Sequence, residues 1–285
     1  MFGWMMGILI AVIVFFVIVM IIDGNRFVIR EYTIKTDKLD KEYTLALLAD
    51  LHNRNYGENN AKLLEAIDGI KPDGILTAGD MLTARPGKSF MTALSFMKQL
   101  SSKYPVYYGL GNHEYRMQLY REDYGDAFEK YTGSLTDEGI HVLDNATLSV
   151  GDFAVTGVTI DRKYYKRFRK NVMEEEYLSE TIGEVSKDKY HILLAHNPEY
   201  FEDYAKWGAD LVVSGHVHGG IMRLPVLGGV ISPKLVLFPK YDGGMFKQDN
   251  TTMILSRGLG MHTLPVRIFN PGELVVIHLL PCKEA

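Results

Sequence analysis

The sequence predicts an α/β domain placed behind one apolar helix. Three features carry that prediction. Short β-branched apolar runs alternate with stretches of helical periodicity, the pattern of an α/β domain. Several of those runs end in Asp, Asn or His, and α/β sheets bind ligands beyond the carboxyl ends of their strands. Residues 1–22 carry no charged side chain at all.

Length and composition set the bounds. A chain of 285 residues fits one large domain or two small ones. Apolar residues at 47% and charged residues at 23% are an ordinary globular balance. A net charge of −4 gives no reason to expect a nucleic-acid partner, which calls for a basic face. The single cysteine, Cys282, excludes an intrachain disulfide framework and leaves the compartment open.

The amino terminus is mostly Ile, Val, Met and Phe. It is long enough to cross a hydrocarbon core of roughly 30 Å at about 1.5 Å per helical residue. It lacks a basic n-region, a short apolar core, a small-residue cleavage site and a twin arginine, so it reads as an uncleaved, single-pass anchor in the cell membrane. Arg26, Arg30, Lys35, Lys38 and Lys41 follow it and no Lys or Arg precedes it, which favours a cytoplasmic domain. Long domains are translocated regardless of charge, so the side stays open. The chain divides into an anchor over 1–22, a juxtamembrane segment with a candidate first strand over 23–42, and a catalytic domain over 43–285.

The elements follow in order. Residues 26–35 alternate as an extended strand, and 43–49 form a near-continuous apolar run, as in a central strand covered on both faces. A helix over 60–70 buries Leu63, Leu64, Ile67 and Ile70 and stops at Pro72. The strand 74–78 leads to a helix over 88–100 with Phe90, Ala93, Leu94, Met97 and Leu100 inward, then to a strand over 105–110. Residues 120–139 read as helix interrupted at Gly125 and Gly133. Short strands are expected over 141–143, 146–150 and 153–158, with Asp144-Asn145 and Gly151-Asp152 supplying turns. A basic, aromatic run over 163–170 precedes an acidic helix over 174–185. The strand 190–195, a helix over 199–207 and the strand 209–214 come next. Residues 221–248, rich in Pro and Gly, read as a long loop or hairpin, and strands over 253–256 and 273–280 close the chain.

Five strand ends carry metal-ligand chemistry: Asp50 and His52, Asp80, Asn112 and His113, His196, and His216 and His218. Each alone has an ordinary reading as a turn residue or a satisfied core polar group; their succession does not. Asp50-x-His52, Gly79-Asp80, Gly111-Asn112-His113-Glu114, His196 and Gly215-His216-x-His218 resemble, in order, the signature of the calcineurin-like metallophosphoesterase superfamily. The resemblance spans residues 45–220. Phe238-Pro239-Lys240-Tyr241 and Ser256-Arg257-Gly258-Leu259-Gly260 are similar to its bacterial, membrane-anchored branch, which includes YkuE-type phosphoesterases and enzymes of the UDP-2,3-diacylglucosamine pyrophosphatase kind.

The resemblance implies a four-layer α-β-β-α sandwich with two mixed β-sheets. It implies two divalent metal ions, one held by Asp50, His52, Asp80 and His218, the other by Asp80, Asn112, His196 and His216, with one metal on each oxygen of Asp80. Oxygen and imidazole donors suit Mn, Fe or Zn better than Ca. Such a pair neutralises phosphoryl oxygens and activates a hydroxide. By resemblance, His113 is catalytic and donates to the leaving oxygen or stabilises the transition state. The implied activity is metal-dependent hydrolysis of a phosphoester or pyrophosphate bond in a small-molecule or lipid-linked substrate. A broad phosphodiesterase or phosphatase on soluble substrates, and a non-catalytic metal-bound scaffold, are the alternatives.

Two positions depart from the pattern. Thr83 stands where the family often has Asp, so a supporting contact is expected to be replaced. Ile221 stands where this branch commonly has Gln. His141, His191 and His278 read as packing or surface histidines, and His262 as a candidate near the pocket. The run 163–170, with Tyr164, Tyr165 and Phe168, reads as a solvated face or an anionic-headgroup contact. The loop 224–246, with Pro225, Leu227, Ile231, Leu237, Phe238 and Phe246, reads as packing on its own domain or as touching lipid.

Overall fold

Continuous apolar runs become strands buried on both faces, and amphipathic runs become the helices that cover them. The computed structural model describes residues 2–166, 170–186, 188–224, 228–231, 236–261 and 265–282. The elements begin with α1 (Phe2–Asn25), β1 (Phe27–Thr36), β2 (Tyr43–Leu48), α2 (Ala61–Ile70), β3 (Gly74–Ala78), α3 (Met91–Ser101) and β4 (Val106–Gly109). Next come α4 (Asn112–Leu119), α5 (Arg121–Tyr124), α6 (Ala127–Asp137), β5 (His141–Leu143), β6 (Ala146–Val150), β7 (Phe153–Val158) and α7 (Tyr177–Ile182). The chain continues through β8 (Tyr190–Ala195), α8 (Phe201–Trp207), β9 (Leu211–Ser214), β10 (Met222–Leu224), β11 (Gly228–Ile231), β12 (Gly244–Gln248), β13 (Thr251–Leu255) and β14 (Gly272–Pro281).

One six-stranded sheet has the order β1-β14-β2-β3-β4-β5, and a second has β12-β13-β9-β8-β7-β6. Both are mixed: β2 to β5 are parallel while β14 is antiparallel to β2, and β7, β8, β9 and β13 are parallel while β6 and β12 are antiparallel edges. The sheets face each other across a core that includes Leu45, Leu47, Leu76, Ile192, Leu194, Val213, Ile254 and Ile277. Outside the first sheet, Leu63, Ile67, Phe96, Met97, Met117 and Tyr131 seal the helical layer. Leu178, Tyr200 and Tyr204 do the same outside the second. This is the four-layer sandwich expected from the sequence.

Several boundaries shift. The helix expected over 120–139 starts eight residues earlier, with α4 opening at Asn112, and breaks near Tyr120 and Gly125. Gly133 does not interrupt it, because Phe128, Tyr131 and Leu135 keep one face of α6 buried. The acidic helix contracts to α7. The region 221–248 contains the β10–β11 hairpin and the edge strand β12. At the amino terminus, α1 is long and apolar enough to cross a membrane and extends to Asn25, three residues beyond the anchor expected over 1–22.

The sheets come closest where two glycines face the opposite layer. A Cβ on Gly109 of β4 would lie 2.7 Å from Cβ of Leu194 on β8, and one on Gly157 of β7 would lie 2.0 Å from the carbonyl oxygen of Leu143 on β5. Hydrogen atoms at these positions let strand ends from both sheets converge. Gly109→Ala is expected to cost about 1–3 kcal/mol through overpacking and to lower the metal content of the purified protein. Urea unfolding and elemental analysis check both effects.

Candidate metal centre

Because β2, β3 and β4 run parallel, their carboxyl ends meet at one edge of the first sheet, and those of β8 and β9 meet at the facing edge of the second. Backbone hydrogen bonds tie the loops together: Asp50 N–H to Gly79 O (3.0 Å), His52 N–H to Asp80 O (3.1 Å) and Gly215 N–H to His196 O (3.1 Å). Asp50, His52, Asp80, His216 and His218 all adopt positive φ, between 50° and 74°. L-residues enter this left-handed region at a cost, and such residues cluster at functional sites. Here the conformation turns each chain sharply back at its strand end.

The structure brings together every site residue expected from the sequence. Three overlapping groups each place their ligand atoms within 4.8 Å of one another: Asp50, His52 and His218; His52, Asp80 and His113; Asp80, His196 and His216. Asn112 joins them through its Oδ1, 3.2 Å from His196 Nε2. His218 Nε2 lies 3.2 Å from His52 Nε2 and 3.4 Å from Asp50 Oδ1. His196 Nε2 lies 3.2 Å from Asp80 Oδ2. His196 Nδ1 donates to the Ala78 carbonyl at 2.6 Å, which leaves the Nε2 lone pair facing the cluster.

The two carboxylates are held differently. The His216 N–H points between both oxygens of Asp50, at 3.1 and 3.0 Å. Asp80 Oδ1 accepts the His113 N–H at 2.7 Å, so Oδ2 alone faces the imidazoles of His52, His113 and His196. The sequence reading gave each Asp80 oxygen its own metal; the structure commits one of them to the backbone.

The donor set fits divalent cations. Both carboxyl groups are buried, and among the described residues neither forms an ion pair with Lys or Arg, only contacts with imidazoles. Burial pushes the Asp50 carboxyl up to about 7 against the pull of His196. Burial lowers the basicity of His196, but the Asp80 and Asp50 carboxylates outweigh it and raise the imidazole to about 9. Such a cluster holds protons only because it concentrates negative charge, and cations take their place readily.

His113 is oriented by the backbone. The Ala84 N–H donates to its Nδ1 at 2.9 Å, so the neutral ring carries its proton on Nε2, 4.0 Å from Asp80 Oδ2. At Thr83 the expected replacement contact is present: the hydroxyl donates to the His52 carbonyl at 3.2 Å. Ile221 uses its backbone groups to join β11 and the segment at Ile268.

Other sequence candidates lie elsewhere. His141 stacks on Tyr107, His191 Nε2 accepts from the Ser186 N–H, and His278 contacts Thr44 and Glu31. Tyr164 is buried beside Tyr177 and Tyr200, while Tyr165 packs on His216. Leu237 and Phe238 are exposed, whereas Phe246 packs on Tyr241. His262, Phe168, Pro225 and Leu227 lie outside the described residues.

Sequence reasoning gave no role to Glu114. It is fully buried and accepts from the N–H groups of Asp80 (2.9 Å), Met81 (2.9 Å) and Gly111 (3.0 Å) and from the Tyr108 hydroxyl (2.9 Å). It therefore staples the Asp80 loop to the Asn112 loop. Burial and the nearby Asp80 charge push its carboxyl up to about 7. Asn270 and Arg267 were also missed. The Asn270 amide donates to the carbonyls of His218 (2.7 Å) and Gly220 (2.8 Å). The buried Arg267 guanidinium donates to the carbonyls of Arg257, Gly258 and Gly260, which hold the loop packed on Asp50. A polar residue in a loop gives no periodic signal. Only the adjacency of Glu114 to His113 marked it.

Comparison with known proteins gives consistent matches. The calcineurin-like phosphoesterase family model matches residues 43–220. An uncharacterized metallophosphoesterase of Helicobacter pylori is 29% identical over 264 residues, covering 90% of this chain and 65% of its own length. One from Aquifex aeolicus is 27% identical, covering 87% of this chain and 90% of its own. The uncharacterized metallophosphoesterase YkuE of Bacillus subtilis is 26% identical, covering 87% and 84%. The chain thus spans slightly under two thirds of the Helicobacter relative.

Glu114→Ala strands four buried donors, each worth about 1–3 kcal/mol. The variant is expected to lose at least about 3 kcal/mol of stability in chelator, measured by urea unfolding, and to bind less metal.

Proposed function

The chain belongs to the calcineurin-like phosphoesterase family, and we propose that it is a membrane-anchored, dinuclear metal-dependent phosphohydrolase. The observation that carries this reading is the convergence of Asp50, His52, Asp80, His196, His216 and His218 from two sheets, with Asn112 beside them. Asp50, His52, Asp80 and His218 would hold one ion, and Asp80, Asn112, His196 and His216 the other. Asp80 would serve both through Oδ2. Mn, Fe and Zn suit this donor set.

Divalent ions held there supply positive charge against phosphoryl oxygens and acidify water. The chain's own residues supply the rest. His196, locked on Ala78, keeps its lone pair inward. Glu114 fixes the spacing of the two ligand loops. His113 presents Nε2–H, with its ring held by the Ala84 N–H, and from there it can give a proton to the leaving oxygen.

The narrower part of the proposal is a substrate at the bilayer surface. The contacts at the end of α1 support it. Asp23 Oδ2 accepts the Asn270 N–H at 2.9 Å, and Asn270 in turn holds the carbonyl of His218. Arg54, two residues past His52, donates to Gly24 O and Asn25 Oδ1. Phe269 packs against Phe15 and Phe16, with ring centroids 6.3 Å apart in both cases. The end of the apolar helix is thereby joined to both sides of the centre. A phospholipid or lipid-linked diphosphate in the same leaflet would lie beside it.

The test is hydrolysis of bis-p-nitrophenyl phosphate by the full chain with and without Mn²⁺. Turnover is expected to need metal, to vanish with chelator, and to be lost in Asp80→Asn together with bound metal; metal-independent turnover, or none, would overturn the reading. His113→Ala is expected to lower kcat by about 10²–10⁴-fold with metal content retained. Loss of metal from that variant would make His113 a ligand instead. For the substrate, soluble nucleotide esters that outperform every lipid phosphate offered in mixed micelles would sink the bilayer-surface reading and leave a soluble-substrate phosphodiesterase.

A further inference from the structure

A cavity of about 370 Å³ opens beside the centre, bordered by the candidate ligands Asn112 and His216 and by Arg116, Arg162, Tyr165 and Lys166. No carboxylate lines it. Elsewhere the basic side chains are largely neutralised: Arg30 by Glu273, Lys38 by Asp210, Lys103 by Asp68, Arg223 by Asp242 and Lys240 by Glu202. Arg116, Arg162 and Lys166 have no ion-pair partner among the described residues. Arg162 is positioned by the face of Tyr120, 4.7 Å from its ring centroid. In a chain of net charge −4 this is a local concentration of unpaired positive charge.

Unpaired cations at the mouth of a concave site raise the local concentration of anions. Guanidinium groups bind phosphate through paired, charge-assisted hydrogen bonds. A lone phosphoryl group would be held by the ions of the centre and would leave these three side chains unused. An anion that fills the cavity while its neighbour sits at the centre must be covalently continuous with that neighbour. From this we infer that the cavity binds the second phosphate of a diphosphate diester, and that Arg116, Arg162 and Lys166 select such substrates over simple phosphoesters. The inference rests on the phosphohydrolase reading and narrows it to cleavage of a phosphoanhydride. In that reaction the water oxygen bonds to the phosphorus at the centre. The bridging oxygen leaves with the electron pair of the broken P–O bond, on the phosphate in the cavity. Both water protons pass to solvent as the two products become monoester dianions. The negative charge that develops on the leaving phosphate appears where the three cations stand.

The test compares bis-p-nitrophenyl diphosphate with bis-p-nitrophenyl phosphate, which differ only by the inserted phosphate, using the full chain in detergent with Mn²⁺. The ratio of their kcat/KM values is expected to fall roughly tenfold for each charge removed in Arg116→Gln and Lys166→Gln. Arg116→Lys should recover most of what Arg116→Gln loses, and Arg116→Glu should lower the ratio further. Independently of turnover, the methylene-bridged diphosphonate analogue should shield Lys166 from an amine-reactive ester, read by mass spectrometry, whereas orthophosphate should not. A ratio that holds within twofold in the active double variant, or labelling of Lys166 that the analogue does not reduce, overturns the assignment while the hydrolase reading stands. A metal-loaded chain that turns over neither ester removes the hydrolase reading and the assignment together.

Discussion

Two carboxylates buried without a lysine or arginine partner are the constraint around which this fold is arranged. An isolated buried carboxylate is costly unless hydrogen-bonded and matched by opposite charge. Asp50 and Asp80 obtain the hydrogen bonds from the N–H groups of His216 and His113. Those two backbone donors come from different sheets, so each carboxylate is satisfied only when the layers are docked. The imidazoles and the proposed ions supply the charge. Folding of the edge and formation of the centre are therefore one event. The glycines at 109 and 157 are part of the same requirement, since a methyl group there would hold the layers apart.

The same edge concentrates backbone strain. Five of the candidate ligands sit in the left-handed region, where residues other than Gly, Asn and Asp are uncommon. For His52, His216 and His218 nothing intrinsic favours that conformation. Surrounding structure imposes it: Glu114 beneath the Asp80 loop, Asn270 on the carbonyls of His218 and Gly220, and Arg267 behind the loop packed on Asp50. These three polar groups are buried, and none is a candidate ligand. Their burial is worthwhile because they convert flexible loops into fixed ligand positions.

What the sequence disclosed and what it hid divide along the same line. Strands such as Gly74–Ala78 and Tyr190–Ala195 were readable to the residue, because continuous apolar runs with sharp polar ends leave little choice of boundary. The ligand residues were readable because each stands at such an end. Helix α4 was not, since Asn112, His113, Glu114, Arg116 and Gln118 give it almost no apolar stripe. It is held by Met117 and by Glu114 turned inward, a tertiary effect that periodicity cannot report. Glu114, Asn270 and Arg267 escaped for a related reason: each acts through backbone groups distant in sequence, and pattern analysis sees side chains in local order. The segment 221–248 hid β12 because its strand pairs as an edge, with every second residue exposed.

The surroundings of the centre are polarised, and that bears on how a substrate would lie. On one side Asp23, Gly24 and Asn25 end the apolar helix against Arg54 and Asn270, and Phe269 continues the apolar surface along Phe15 and Phe16. On another, Arg116, Arg162 and Lys166 line a cavity without carboxylates. The candidate ligands follow this division: His52 and His218 lie toward the helix end, and Asn112 and His216 toward the cavity. An amphiphile with its tail in the bilayer and two phosphates in its headgroup matches this sequence of environments in one orientation. Reversed, it would place alkyl chains among unpaired cations and phosphates against phenylalanine. Desolvation and charge oppose that placement together. The fold therefore sets not only where a phosphorus atom would be held but which of its two sides faces the membrane.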